Sequence, residues 1–279
     1  MRVLLRRPYR PGAIVVAMTL LAAACSGGAR PELTTTSIER PTVEPAPVEV
    51  EVVASAPDDV PEPADPWEVV TITADPTTGR TIAGEPTFRS VEVFGEPDGE
   101  KVQFDQHVLN PTYFGSPLTL MVTEGSVGDE WVKVQLPVRP NGSEAWVDTD
   151  GFSFETHRYH AMVDLSDFFV QVFDGDDLIS ETDAVIGRES APTPLGRYFV
   201  NDKLEGGGGV YGSWILSLSA FSESLDSFNG GLPVIAIHGT NSPELVGTAV
   251  SSGCVRVPND IIEFLANELP LGTPVEIVA

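Results

Sequence analysis

The chain has 279 residues, 42% of them apolar, with 26 Gly, 24 Pro and 2 Cys, and its 41 acidic against 16 basic side chains give a net charge of -25 at pH 7. That length allows two modest domains plus extensions, the apolar share suffices for real cores, and the carboxylate excess argues against a nucleic-acid partner, whose phosphates demand Lys and Arg. Such acidity speaks to solubility and self-repulsion rather than to fold.

Residues 1–24 have the three-part layout of a secretory signal: Arg2, Arg6, Arg7 and Arg10, an apolar run over 13–21, and the small residues Ala22, Ala23 and Ala24. The run is short for a membrane span, which takes about 20 residues. Cys25 follows at once, with Ser26, Gly27 and Gly28 after it, so the segment resembles a bacterial lipoprotein signal whose cysteine becomes the lipidated N-terminus. Ala22 departs from that pattern by standing where leucine is usual. Removal of the four arginines would leave 12 basic residues against 41 acidic ones, a net charge of -29. The segment 25–66 is then read as a tether, because Pro41, Pro45, Pro47, Pro57, Pro61, Pro63 and Pro66 among Glu, Val, Ala and Thr leave too little apolar surface to offset the entropy of ordering. At about 3 Å per residue it would reach on the order of 100 Å. A proline motif that binds a protein partner is the alternative.

A first β unit is expected over 67–156. Val69 to Thr73, Ser90 to Phe94, Leu118 to Val122, Trp131 to Leu136 and Ala145 to Asp148 alternate apolar and polar residues between Gly, Pro, Asn and Asp turns, the period of small antiparallel sheets. Pro140, Asn141 and Gly142 mark a hairpin tip. The runs Val93-Phe-Gly-Glu-Pro-Asp-Gly99 and Leu136-Pro-Val-Arg-Pro-Asn-Gly-Ser-Glu-Ala-Trp-Val147 resemble bacterial SH3-like domains. Such a unit serves as a spacer or docking module or as a groove for wall peptides, and Trp131 and Trp146 are assigned to its core.

A second, mainly β unit with one helix is expected over 157–279. Residues 161–165 and 168–173 pair as a hairpin, 178–182 and 184–187 follow, and Tyr198 opens another strand. Gly206 to Gly209 are expected to form a mobile rim of a substrate pocket beside Tyr211 and Trp214. In the helix, Asp260 is the expected N-cap with Glu263 as its capping-box partner, Ile261, Phe264, Leu265 and Leu269 share the buried face, and Pro270 is the stop. A final strand, 275–278, is expected to close the sheet. His107, His157 and His160 fall outside metal-ligand spacing, so neither metal nor cofactor is expected.

The chemistry concentrates in Ile235-Ala-Ile-His238-Gly-Thr-Asn241 and Ser251-Ser-Gly-Cys254-Val-Arg-Val257. A histidine ends a short apolar strand, and a cysteine sits in a Ser-Gly turn beyond a loop. A neighbouring imidazole is expected to lower the thiol pKa from roughly 8.5 and populate the thiolate near neutral pH. The amides of Gly253 and Cys254 are candidate donors to an oxyanion. Taken alone, an isolated His and an isolated Cys are more often structural than catalytic.

These runs, with Thr193-Pro-Leu-Gly-Arg-Tyr-Phe199 and Trp214-Ile-Leu-Ser-Leu-Ser-Ala-Phe-Ser222 upstream, resemble the L,D-transpeptidase (YkuD-like) family over about 159–279. The resemblance implies Cys254 as nucleophile, His238 as base and the Gly239 carbonyl as the acceptor that orients its ring. It implies attack on the third residue of a peptidoglycan tetrapeptide stem, release of terminal D-Ala, and a 3-3 cross-link formed through an acyl-enzyme. The alternatives are an L,D-carboxypeptidase using water, or a non-catalytic wall-binding lipoprotein. Ser252 departs from the family, which commonly has histidine there. Arg256 is the candidate for a stem carboxylate or for a structural ion pair, Ser251 and Ser252 for substrate hydrogen bonds or for turn formation, and Thr240 and Asn241 for shaping the loop. With Cys25 lipidated, Cys254 would be the only thiol left, and the protein would face the wall from a membrane anchor.

Overall fold

The structure, a computed structural model, describes residues 65–279. The signal, Cys25 and nearly all of the tether therefore lie outside the described residues.

The alternation read from the first unit becomes a seven-stranded antiparallel sheet. Its order is Phe152–His157, Val69–Ala74, Thr119–Glu124, Trp131–Gln135, Glu144–Asp148, Val93–Phe94 and Lys101–Val102. Because side chains along a strand point to opposite faces, every second residue enters one core: Ile72, Leu120, Val132, Val134, Ala145 and Val147 are all buried. The same alternation puts Trp131 and Trp146 on the other face, half-buried rather than in the expected core, with Trp131 edge-on to Phe94 at 5.1 Å. Arg80–Ile82, Glu85–Ser90 and Leu109–Asn110 make a small three-stranded sheet beside it.

The second sheet has eight strands in the order Asp177–Asp183, Phe169–Asp174, Tyr159–Asp164, Pro274–Val278, Gly196–Glu205, Trp214–Phe221, Val234–His238 and Val255–Arg256. The C-terminal strand does not close this sheet as expected. It lies in the middle, parallel to Tyr159–Asp164 and antiparallel to Gly196–Glu205. Val275 and Ile277 are buried there.

Among the described residues one α-helix forms, Asn259–Glu268, packed on the strands Trp214–Phe221 and Val234–His238. Its buried stripe is Ile262, Leu265, Ala266 and Leu269, one position round from the expected face, so Phe264 stays exposed and Ile261 is half-buried. Pro258, not Asp260, precedes the first turn, and no side chain caps it. The cap position is held by a proline, whose side chain has no acceptor, and the first helical residue, Asn259, spends its amide elsewhere, as described below. At the other end Lys203 Nζ donates to the Ala266 and Leu269 carbonyls at 3.1 and 2.8 Å, which places a cation at the negative pole of the helix.

The two sheets are joined through the strand Gly196–Glu205. Tyr198 and Val200 belong to the core of the second unit, while Phe199 between them is fully buried in the core of the first. Polar contacts extend the seam. Gln135 Nε2 donates to Arg197 O at 2.6 Å, and Asn141 exchanges two bonds with the Phe221 backbone at 2.8 and 2.9 Å. Arg139 donates to the Ser222 and Leu225 carbonyls at 2.9 Å each, its guanidinium lying over the Phe221 ring. Gly272 is required here: besides its φ of 83°, a Cβ would stand 2.4 Å from Thr71 Cγ2. Truncation of Phe199 to Ala is expected to cost about 3–5 kcal/mol. Thermal denaturation followed by near-ultraviolet circular dichroism should show one cooperative transition moved to lower temperature, with no separate melting of the two sheets.

Candidate active site

Val234–His238 runs between Trp214–Phe221 and the short parallel strand Val255–Arg256, with Ile237 opposite Val255 and His238 opposite Arg256. Period two puts Val234, Ala236 and His238 on one face of this strand, while Ile235 and Ile237 enter the core. Cys254, just before Val255, is half-buried. Its Sγ lies 4.0 Å from Val234 O. Topology thus brings the candidate nucleophile and the candidate base, sixteen positions apart in sequence, to neighbouring strands.

His238 is 2% exposed, and its Nδ1 stands 2.6 Å from Gly239 O. A carbonyl only accepts, so Nδ1 carries the proton, and in the neutral ring Nε2 keeps its lone pair. The ring of Tyr211 packs edge-on to the imidazole at 5.1 Å. Burial pulls the histidine pKa down to about 4, with the Arg256 charge adding to the shift and the Gly239 and Tyr211 carbonyls opposing it. Burial also pushes the Cys254 thiol up, partly offset by the Ala236 amide and by Arg256. The pair therefore rests as thiol and neutral imidazole, not as the pre-formed thiolate expected from the sequence.

The turn before the cysteine is held from beneath. Thr193, buried in the Pro-Thr-Pro turn, accepts from the Gly187 amide and donates to Gly253 O, both at 2.9 Å. The peptide unit is planar and trans, so pinning the Gly253 carbonyl fixes the direction of the Cys254 N–H on the opposite side. Gly253 itself has φ 117°, and a Cβ there would meet Ile235 Cδ1 at 2.9 Å. Its own amide donates to Ser251 Oγ at 3.1 Å, and Ser251 in turn donates to Cys254 O at 2.6 Å. Ser251 is thus a buried turn former, and the Gly253 amide is engaged within the turn.

Asn259, which the sequence reading passed over, ties the other side together. Its Oδ1 accepts from the Ser213 and Thr240 amides at 3.2 Å each, and its Nδ2 donates to Thr240 O at 3.0 Å. That grip needs two glycines, since a Cβ on Gly212 or Gly239 would stand 2.1 or 2.2 Å from Oδ1. The Asn after Pro258 was the available signal. The glycine-rich run is closed by its own bonds, Gly206 N to Ser213 O at 2.7 Å and Gly208 N to Gly212 O at 2.9 Å, and it delivers Tyr211 to His238. Trp214 packs on the core, and its carbonyl accepts from Gly239 N at 3.1 Å. Thr240 is buried and accepts from the Ser242 amide, whereas Asn241 is exposed.

Two cations flank the turn. Arg256 is half-buried, and among the described residues no carboxylate lies within 4.0 Å of it; its Nε is buried without a partner. Arg188 donates to Ser252 Oγ and Ser190 Oγ, both at 3.0 Å. The Ser252 hydroxyl therefore supports a guanidinium beside the cysteine. A cavity of about 400 Å³ ends at Cys254, with Tyr211, Ile215, Ala236, Phe228 and Leu232 among its walls.

Two outcomes follow from this geometry. Because His238 must be neutral to accept a proton and its pKa sits near 4, the rate of Cys254 acylation should rise with pH through about 4 and be level by pH 6. A limb near 6.5 would mean an unperturbed imidazole. Asn259→Ala should lower kcat on the order of tenfold with KM little changed, since Asn259 orients the loop. Asn259→Asp, which keeps the acceptor oxygen and loses one donor, should recover part of that in steady-state kinetics.

A family model described as the L,D-transpeptidase catalytic domain, YkuD, matches residues 158–277. The "Putative L,D-transpeptidase YkuD" of Bacillus licheniformis is 32% identical over 123 residues, 44% of this chain and 67% of that protein. The Bacillus subtilis protein of the same name is 38% identical over 93 residues, 33% of this chain and 49% of that protein. The chain thus spans two thirds of the first relative and about half of the second. Among solved structures, the L,D-transpeptidase from Mycobacterium smegmatis aligns over 57% of this chain and 95% of that one, at 15% identity and a TM-score of 0.36. The C442S mutant of the Enterococcus faecium L,D-transpeptidase aligns over 42% and 48%, at 21% identity and a TM-score of 0.34.

Proposed function

The chain belongs to the YkuD L,D-transpeptidase family, and from that premise we propose that it is a cysteine-dependent peptidoglycan L,D-transpeptidase. The observation that carries this reading is the placement of Cys254, in the wall of an apolar cavity, immediately before the strand that pairs with the one ending in the buried His238, whose Nδ1 is committed to Gly239 O at 2.6 Å. His238 Nε2 takes the thiol proton as Sγ attacks the carbonyl of the third stem residue. The negative charge moves to the carbonyl oxygen, for which the Cys254 N–H, aimed by Thr193, is the donor. Collapse expels the amine of D-Ala, which receives the proton from His238, and leaves a thioester. An acceptor amine of a second stem then attacks, gives its proton to His238 and frees the thiol, which closes a 3-3 cross-link. Water in place of the amine gives L,D-carboxypeptidase turnover.

Arg256 and Arg188 have no carboxylate partner within 4.0 Å among the described residues and suit the carboxylates of the stem. The chain is further read as an exported lipoprotein anchored through Cys25, its tether lifting an SH3-like unit and the catalytic unit toward the wall. No metal or cofactor takes part in this scheme.

Intact-mass measurement after exposure to a carbapenem tests the nucleophile. Wild-type protein should gain one adduct per chain, Cys254→Ala none, and His238→Ala the same adduct at least about a hundredfold more slowly. An intact, unmodified Cys254 in the wild type would instead support the wall-binding reading.

A further inference from the structure

The cavity that ends at Cys254 is not built from the second unit alone. Tyr113 and Phe114, on a turn of the first unit, form part of its wall, facing Phe228, Gly231 and Leu232. They lie 140 residues or more before the cysteine in sequence, and no pattern at the catalytic motifs points to them.

Both aromatics are unusually open for their type. Tyr113 is 58% exposed and Phe114 42%, and on the facing loop Phe228 and Leu232 are 42% exposed each. Tyr113 and Phe114 meet edge-to-face at 5.3 Å, which fixes their rings against one another. A Cβ on Gly231 would stand 3.8 Å from the Tyr113 hydroxyl, so the two loops approach across the cavity mouth.

This turn is fastened to the catalytic sheet. Thr112, immediately before Tyr113, is buried, and its hydroxyl donates to the carboxylate of Asp202, which also accepts from Ser217 Oγ at 2.8 Å and Asn201 Nδ2 at 2.7 Å. Asp202 and Ser217 are register partners on adjacent strands, and Ser217 itself lines the cavity. The facing loop is held by the same unit, because Arg139 and Asn141 grip the backbone at Phe221, Ser222 and Leu225. The first unit therefore positions both lips.

The wall is uncharged throughout. In a chain where 20% of residues are charged, none of the residues lining this cavity carries a charge, whereas Arg188 and Arg256 flank the cysteine without carboxylate partners. Charged ends of a substrate are favoured near those guanidinium groups, and a hydrocarbon segment in the cavity.

We propose that Tyr113 and Phe114 make the first unit a part of the donor site, where they contact the uncharged aliphatic arm of the stem residue whose carbonyl is attacked. The proposal rests on the transpeptidase reading and adds a residue-level role for the unit that precedes the catalytic motifs. These two side chains determine specificity and take no part in proton transfer.

The test uses the full chain and compares wild type with Tyr113→Ala/Phe114→Ala and Tyr113→Phe/Phe114→Leu. Two rates on Cys254 are measured: acylation by a soluble tetrapeptide stem, and alkylation by iodoacetamide, which is too small to need the wall. The double alanine variant should lose about 10- to 100-fold in kcat/KM for the peptide, the range of an apolar contact, while alkylation stays within about twofold. The conservative variant should recover most of the peptide rate. An unchanged peptide rate in the alanine variant overturns the proposal, as does a parallel fall of both rates, which marks a purely structural role. Failure of the peptide to acylate wild-type Cys254 while iodoacetamide modifies it refutes the donor reading itself, and the proposal with it.

Discussion

One strand carries two cores. Gly196–Glu205 turns Tyr198 and Val200 to one side and Phe199 to the other, so the alternation that makes any β-strand two-faced here joins two sheets. The Asp202 carboxylate on the same strand, with Thr112 on one flank and Ser217 on the other, adds a buried polar tie. A carboxylate held by three neutral donors, and among the described residues by no cation, is stable only while all of them remain in place. Displacement of one sheet would strip Asp202 of a partner and expose Phe199 together. Everything at the cysteine inherits this constraint, because Trp214–Phe221 and Val234–His238 are the next two strands outward.

Much of the site was legible in the sequence because its chemistry is local. His238 and Gly239 are adjacent, so the bond from ring to carbonyl needs only the right rotamer, and Ser251, Gly253 and Cys254 form a single turn. Strand alternation likewise identified five of the seven strands of the first sheet and missed Phe152–His157 and Lys101–Val102. The parts that were not legible depend on partners distant in the chain. Asn259 reads as an unremarkable helix start until Thr240 and Ser213 are seen against it. The helix face shifted by one position for a related reason: Ile261 and Ile262 are interchangeable in a periodicity argument, and only the packing against the sheet chooses Ile262. The thiol shift went the other way from expectation because burial, absent from any reading of neighbours in sequence, outweighs the Ala236 amide and the Arg256 guanidinium.

Glycine has two distinct uses around the cysteine. At Gly253 the left-handed backbone and the Ile235 side chain both exclude a Cβ, so the residue sets the turn. At Gly212 and Gly239 the reason is proximity to the Asn259 amide, so these positions set how close two loops can come. The helix Asn259–Glu268 is therefore part of the site through its first residue as well as through the stripe it buries.

The resting protonation of the pair has a consequence for durability. Peroxides and disulfides react with thiolates and hardly with thiols. A cysteine whose proton leaves only when a carbonyl is in position spends little of its lifetime in the oxidisable form. With His238 held near pKa 4 and the thiol raised by burial, the proposed mechanism keeps Cys254 in the less oxidisable form between turnovers, so burial protects the nucleophile as well as shaping its site.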